Sequence, residues 1–268
     1  MKWQLRATLL SALALSACNP TTEPGQAPLP IPDKTVTNSE TTTWVSRHSQ
    51  AVCDSTAELH QALTGFLDTP TADTLGTSQQ IWTQAHNHYR LLATGYRLAG
   101  LLPPHVTDDR DTVDGWPLIP GYLDQVPGYP HSGLVYSEVP LTPDFLTTEH
   151  QSTDFGYLTL GFHPLEFMLW GNPGESLEDQ AQKFVGGAED PDTMDIPGRR
   201  RDLTRLISNL LKRSAEPLCA AAEQSRLSAA LTSAHSPGGL PDDLSLAPHE
   251  PPVTGESSGV AESEEPGQ

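Results

Sequence analysis

Gly161-Phe162-His163-Pro164-Leu165-Glu166-Phe167-Met168-Leu169-Trp170-Gly171 sets one imidazole and one carboxylate three residues apart in an otherwise apolar run. Residues i and i+3 lie on the same face of an α-helix. On a helix, His163 and Glu166 point the same way out of a segment whose other members favour burial. A buried ionisable group is costly unless it pairs or binds something. The pair is therefore the leading candidate for a functional site.

The flanking sequence is helical as well. Thr43 to Phe66 carries Val45, Val52, Leu59, Leu63 and Phe66 close to a one-sided stripe. A break with Pro70 follows, from Asp68 to Asp73. Thr77 to Leu102 places Ile81, Trp82, Ala85, Tyr89, Leu92, Tyr96 and Leu101 on or near one face, and Pro103-Pro104 ends it. His105 to Glu149 is interrupted by six prolines, Pro117, Pro120, Pro127, Pro130, Pro140 and Pro143, and predicts short helices and ordered loops. Thr142-Pro143 reads as a helix start. Phe155 to Trp170 predicts a helix that stops at Gly171 to Gly174. Leu177 to Gly187 reads as a helix or a turn. Arg199 to Thr232 predicts one last long helix, kinked at Pro217. No segment alternates with period two, so no sheet is expected. The class is all-α: an up-and-down helical bundle with a Pro-rich irregular segment between helices.

The ends of the chain read differently. Lys2 and Arg6 precede a short apolar run, Ala7 to Leu15, and Leu15-Ser16-Ala17-Cys18 resembles the lipobox of bacterial lipoproteins. The resemblance implies a signal peptide over 1–17 and a lipid on Cys18. It also implies a place in the cell envelope, tethered to membrane and facing the periplasm. Asn19 in place of Asp favours the outer membrane. Residues 18–41, rich in Pro and Thr, read as a flexible tether, 42–235 as the helical domain, and 236–268 as an acidic disordered tail. With Cys18 assigned to lipid, Cys53 and Cys219 remain as a disulfide pair in an oxidising compartment or as two buried thiols. The formal net charge of −19 argues against nucleic acid as a partner. It is compatible with cation binding, although solubility alone accounts for it.

The Gly161-x-His163-x-x-Glu166 motif followed by Leu169-Trp170-Gly171 resembles the Gly-x-His-x-x-Glu signature of the imelysin family. Trp82-x-x-Ala85 with Tyr89 resembles that family's second-helix pattern. Asp114-Gly115-Trp116-Pro117 followed by Tyr122-Leu123-Asp124 resembles its Trp-Pro segment. The resemblance spans Thr43 to Ala230. It implies an exported helical protein associated with iron or haem acquisition, in a family also classed as metallopeptidases on the strength of its motif. It further implies two four-helix bundles with the motif near a cleft between them; this chain is expected to lack much of the second. Two positions depart from the pattern. His86 stands where the family often carries Arg, and Pro164 stands where a small helix former is more common.

His163 and Glu166 could ligate iron or another divalent metal, with haem a lesser expectation. Two donors are not a complete site. His86, His88, Glu138, Asp124, Glu149, His150 and Glu58 could add donors, and spacing does not select among them. The bland alternative is a His–Glu pair, or a salt bridge to Arg90 or Arg97, that locks helix packing. A zinc peptidase of the usual kind needs His-Glu-x-x-His, which is absent. Trp82, Trp116 and Trp170 read as core rather than as a haem stack. The expectation is a membrane-anchored, periplasmic, imelysin-like lipoprotein, a binding protein rather than an enzyme, that binds iron or haem, or a partner protein in iron uptake, through His163 and Glu166. A metallopeptidase and a non-catalytic scaffold lipoprotein are the alternatives.

Overall fold

A computed structural model of the protein describes residues 37–107, 110–152, 157–187, 193–234 and 240. The expected signal peptide, Cys18, residues 18–36 of the tether and all but Leu240 of the acidic tail lie outside the described residues; residues 38–41, expected as tether, form the first turn of a helix. Seven α-helices account for most of what is described: α1 (Asn38–Asp68), α2 (Ala72–Ala99), α3 (Pro143–Glu149), α4 (Phe162–Trp170), α5 (Leu177–Gln182), α6 (Ile196–Ala215) and α7 (Ala221–Ser233). The all-α bundle is the observed architecture. No described helix is long and apolar enough to cross a membrane.

Local chemistry sets the helix ends. Thr37 and Glu40 form a capping box at the start of α1, and Thr71 and Thr74 form one at the start of α2. Both helices therefore begin a turn earlier than apolar periodicity alone indicates. Gly100 closes α2 in the left-handed conformation at φ 65°. Val45, Val52, Leu59, Leu63 and Phe66 of α1 are all buried, as their stripe predicts. Each such side chain contributes about 2 kcal/mol on burial.

Helices α1 and α2 form an antiparallel pair, against which α6 and α7 pack. Polar links cross the interfaces: Thr41 Oγ1 lies 2.7 Å from Thr232 Oγ1, and the Tyr96 hydroxyl donates to Glu223 Oε1 at 2.6 Å. Cys53 on α1 and Cys219 beyond α6 are joined as a disulfide, with Cα atoms 6.4 Å apart. That is an ordinary disulfide separation.

The Pro-rich segment is ordered, and α6 holds it in place. Arg199 donates to the carbonyls of Leu134, Val135 and Val139, while Arg200 grips Asp124 through two bonds of 2.6 and 2.9 Å.

Three expectations need correction. The last long helix is not one kinked rod. It breaks into α6, a 3₁₀ turn over Glu216–Cys219, and α7, because Pro217 has no amide to donate to the preceding turn. A small antiparallel hairpin exists, pairing β1 (Val106–Thr107) with β2 (Arg110–Asp111). At two residues per strand it is too short for period-two alternation to register. The motif helix does not run unbroken from its expected start at Phe155, which lies outside the described residues; residues 157–160 follow a non-helical path and α4 starts at Phe162.

Candidate metal centre

The late start of α4 builds the site. Gly161 adopts φ 103°, a region that disfavours side chains, and a Cβ there would lie 2.6 Å from the Val113 carbonyl oxygen. This close approach lets the Phe162 amide donate to that same oxygen at 2.8 Å. The Asp111 carboxylate accepts the amides of Val113 and Asp114, both at 2.9 Å, which folds the turn tightly. Asp114 is thereby presented to the first turn of α4. Pro164 occupies that turn, where an amide has no intrahelical partner, so its missing donor costs nothing. From the other side, the buried Trp82 indole donates to the Phe162 carbonyl at 3.1 Å and ties α4 to α2. His86, one turn further along α2, then faces the same spot.

Three side chains converge there. His86 Nε2 lies 2.8 Å from Asp114 Oδ1, and His163 Nε2 lies 3.3 Å from the same oxygen. The imidazole rings meet edge to face with centroids 5.4 Å apart. His163 Nδ1 is 2.9 Å from Glu166 Oε2. His163 thus bridges two carboxylates, one at each nitrogen. Burial by itself pushes its pKa down, but the hydrogen bonds to Asp114 and Glu166 outweigh this and raise it to about 9. Burial likewise pushes Asp114 up, and the bonds from His163 and His86 outweigh it, holding the carboxyl below the usual carboxylate range.

The donor atoms of His86, Asp114 and His163 all lie within 4.8 Å of one another. Ligands at about 2.1 Å from a metal ion, subtending roughly 90–109°, sit about 3.0–3.4 Å apart. The two imidazole–carboxylate distances are close to that spacing, so the donors need little movement to close on an ion. Glu166 has a different place from the ligand role expected of it. It lies on the Nδ1 side of His163, where it accepts the Nδ1 proton; once a metal ion displaces the proton on Nε2, that bond keeps Nε2 as the ligating nitrogen. A carboxylate behind a ligating imidazole fixes its tautomer and raises its basicity.

Aromatic rings wall the cluster. His86 packs against Trp82 and Phe162, both at 4.8 Å, and His163 lies 4.9 Å from Trp116. Trp82 is core, as expected, but Trp116 is 57% exposed beside the site.

The remaining candidate donors go elsewhere. Asp124 pairs with Arg200, Glu149 accepts the Tyr122 hydroxyl at 2.8 Å, and His150 accepts the amides of Thr159 and Leu160. Glu58 and Glu138 lie outside the cluster, and His88 is half-buried outside it. Neither Arg90 nor Arg97 reaches the His163–Glu166 pair with an ion pair; the partner is Asp114. Asp114 is the residue that spacing missed. Its signal was its place beside Trp116-Pro117 in the family-like segment.

The fold and the cluster together define an all-α bundle carrying a compact imidazole–carboxylate site of metal-ligand type. The family model described as imelysin (Peptidase_M75: Imelysin) matches residues 45–250, more than half of the chain, and the protein belongs to that family. No curated protein matches the chain.

Proposed function

We propose that this imelysin-family protein binds a transition-metal ion through His86, Asp114 and His163, with Glu166 orienting His163, and that it serves iron uptake from a lipid tether in the cell envelope. The observation that carries the metal reading is the convergence of three donor atoms from three separate segments on one point. Two imidazoles and a carboxylate suit iron and its divalent neighbours, including zinc. The envelope location and the iron-uptake role rest on the lipobox-like Leu15-Ser16-Ala17-Cys18 and on family membership.

A peptidase requires a carboxylate poised to activate a metal-bound water in addition to the ligands. Glu166 is engaged by His163 Nδ1, on the far side of the ring from the cluster. Non-catalytic binding is therefore the better reading.

Calorimetric titration of the purified full-length chain with Fe2+ under anaerobic conditions, or with Zn2+, tests it. One ion per chain is expected. Glu166→Gln should weaken binding by about 10–100-fold, and Asp114→Ala by at least as much. No binding by the wild type, or equal binding by Asp114→Ala, refutes the assignment. Chelator-sensitive cleavage of an unfolded substrate, lost in Glu166→Ala, would establish the peptidase instead.

A further inference from the structure

The metal cluster opens onto a pocket whose chemistry is cationic. A cavity of about 340 Å³ is lined by Arg90, Ala93, Thr94 and Arg97 of α2 and by Asp114 of the cluster. Its size falls within the range of small-molecule sites, about 300–1,000 Å³. His86, Arg90, Ala93 or Thr94, and Arg97 follow one another at helical spacing, so the pocket continues the stripe of α2 that begins at the metal donor. At about 1.5 Å of rise per residue, Arg90 lies about 6 Å beyond His86 and Arg97 about 10 Å beyond Arg90.

Arg97 donates to Thr94 Oγ1 at 2.8 Å, and no carboxylate among the described residues pairs with Arg97 or with Arg90. This holds in a chain with 34 acidic residues against 15 basic ones. Arginine's planar fork suits carboxylate and phosphate groups. A three-donor metal site also leaves at least one coordination position for an outside ligand. The exposed edge of the cluster is Asp114, whose side chain is 24% accessible and forms part of the pocket wall.

We propose that this pocket binds a small oxyanion, a carboxylate or phosphate chelator, with one oxygen on the metal ion and the rest of its charge on Arg90 and Arg97. The cargo is then a metal–oxyanion complex rather than a bare ion. The proposal rests on the metal reading above. The two ligands are interdependent, because a bound divalent ion adds positive charge beside Asp114, on the wall of the pocket. Metal and anion each raise the other's affinity, as linkage requires.

Cobalt(II) serves as the probe ion, because its absorption bands change when an outside ligand enters its coordination sphere. Phosphate and malonate are titrated into the full-length chain loaded with one equivalent of Co2+, and into the metal-free chain. The expected result is a saturable spectral change in the loaded chain and no saturable binding to the metal-free chain. Malonate and phosphate titrated separately show which oxyanion the site prefers. Arg90→Gln/Arg97→Gln should bind Co2+ within about twofold of wild type and lose about tenfold or more in anion affinity. Arg213→Gln, on α6 and outside the pocket, should bind both as wild type does. If Co2+ binds but neither anion does, or if the double variant keeps its anion affinity, the oxyanion site is refuted while the metal centre stands. If the metal-free chain binds the anion equally well, the interdependence is refuted. If Co2+ itself does not bind, the metal reading fails and this proposal falls with it.

Discussion

Replacing Asp114 by asparagine should alter how the stability of the metal-free protein depends on pH, through His163. In the folded protein His163 is held between Asp114 Oδ1 and Glu166 Oε2, and its pKa is raised from 6.5 to about 9. At about 1.36 kcal/mol per unit, that rise corresponds to about 3 kcal/mol of stabilisation while the imidazolium persists. The ring is 17% exposed, so solvent screening takes away only part of it. A raised histidine pKa stabilises the fold in full below the unfolded value of 6.5. The contribution then declines as pH rises and is lost above about 9. The same contacts depress Asp114, so they are one interaction and count once. The side-chain amide of Asp114→Asn retains the shape of the carboxylate but not its charge. The His163 pKa should fall back toward its ordinary value, and unfolding free energy at pH 6 should drop by about 1–3 kcal/mol. NMR titration of the His163 ring and urea unfolding at about pH 6 and pH 10 measure both. If wild-type His163 titrates near its ordinary value, or the variant loses as much stability at the alkaline pH as at the acidic one, the electrostatic account of the site is wrong.

Reduction of the Cys53–Cys219 disulfide opens a loop with a sequence separation of 166, for which chain-entropy models give about 5 kcal/mol. Calorimetry with and without reductant should show a lowered Tm, and an unchanged Tm would count against the staple. Gly161→Ala forces a Cβ against the Val113 carbonyl at positive φ. It should destabilise the protein by about 2 kcal/mol or more and weaken metal binding, since the same contact presents Asp114; wild-type affinity in a folded variant would contradict that. Arg200→Met strands the buried Asp124 carboxylate and should cost about 3–5 kcal/mol in urea unfolding. Adding Asp124→Leu should recover part of the loss, and a double variant weaker than the single would overturn the pairing.

The long helices were legible because their burial is one-sided and periodic. The stripes of α1 and α2 can be read directly from Val45 to Phe66 and from Ile81 to Tyr96. The His163–Glu166 contact was legible for a similar reason, since three residues of helix bring the side chains together whatever surrounds them. The start of α4 was not. Apolar residues continue upstream of Phe162, and only the φ of Gly161 and its packing on Val113 show where the helix begins. The break between α6 and α7 was foreshadowed by Pro217, but its depth depends on how the disulfide segment packs on α1.

The sequence by itself determined what is local: helix periodicity, caps, the proline breaks, an available cysteine pair, and one imidazole beside one carboxylate. Only the tertiary structure decided what that imidazole faces. His86, Asp114 and His163 lie 28 and 49 residues apart along the chain, and no periodicity links them. Their meeting depends on the Asp111 turn, the bare backbone of Gly161 and the Trp82 indole, each acting across elements. Those contacts place Glu166 behind His163 and Asp114 in front of it. They turn an apparent two-residue motif into a three-donor site backed by a fourth residue.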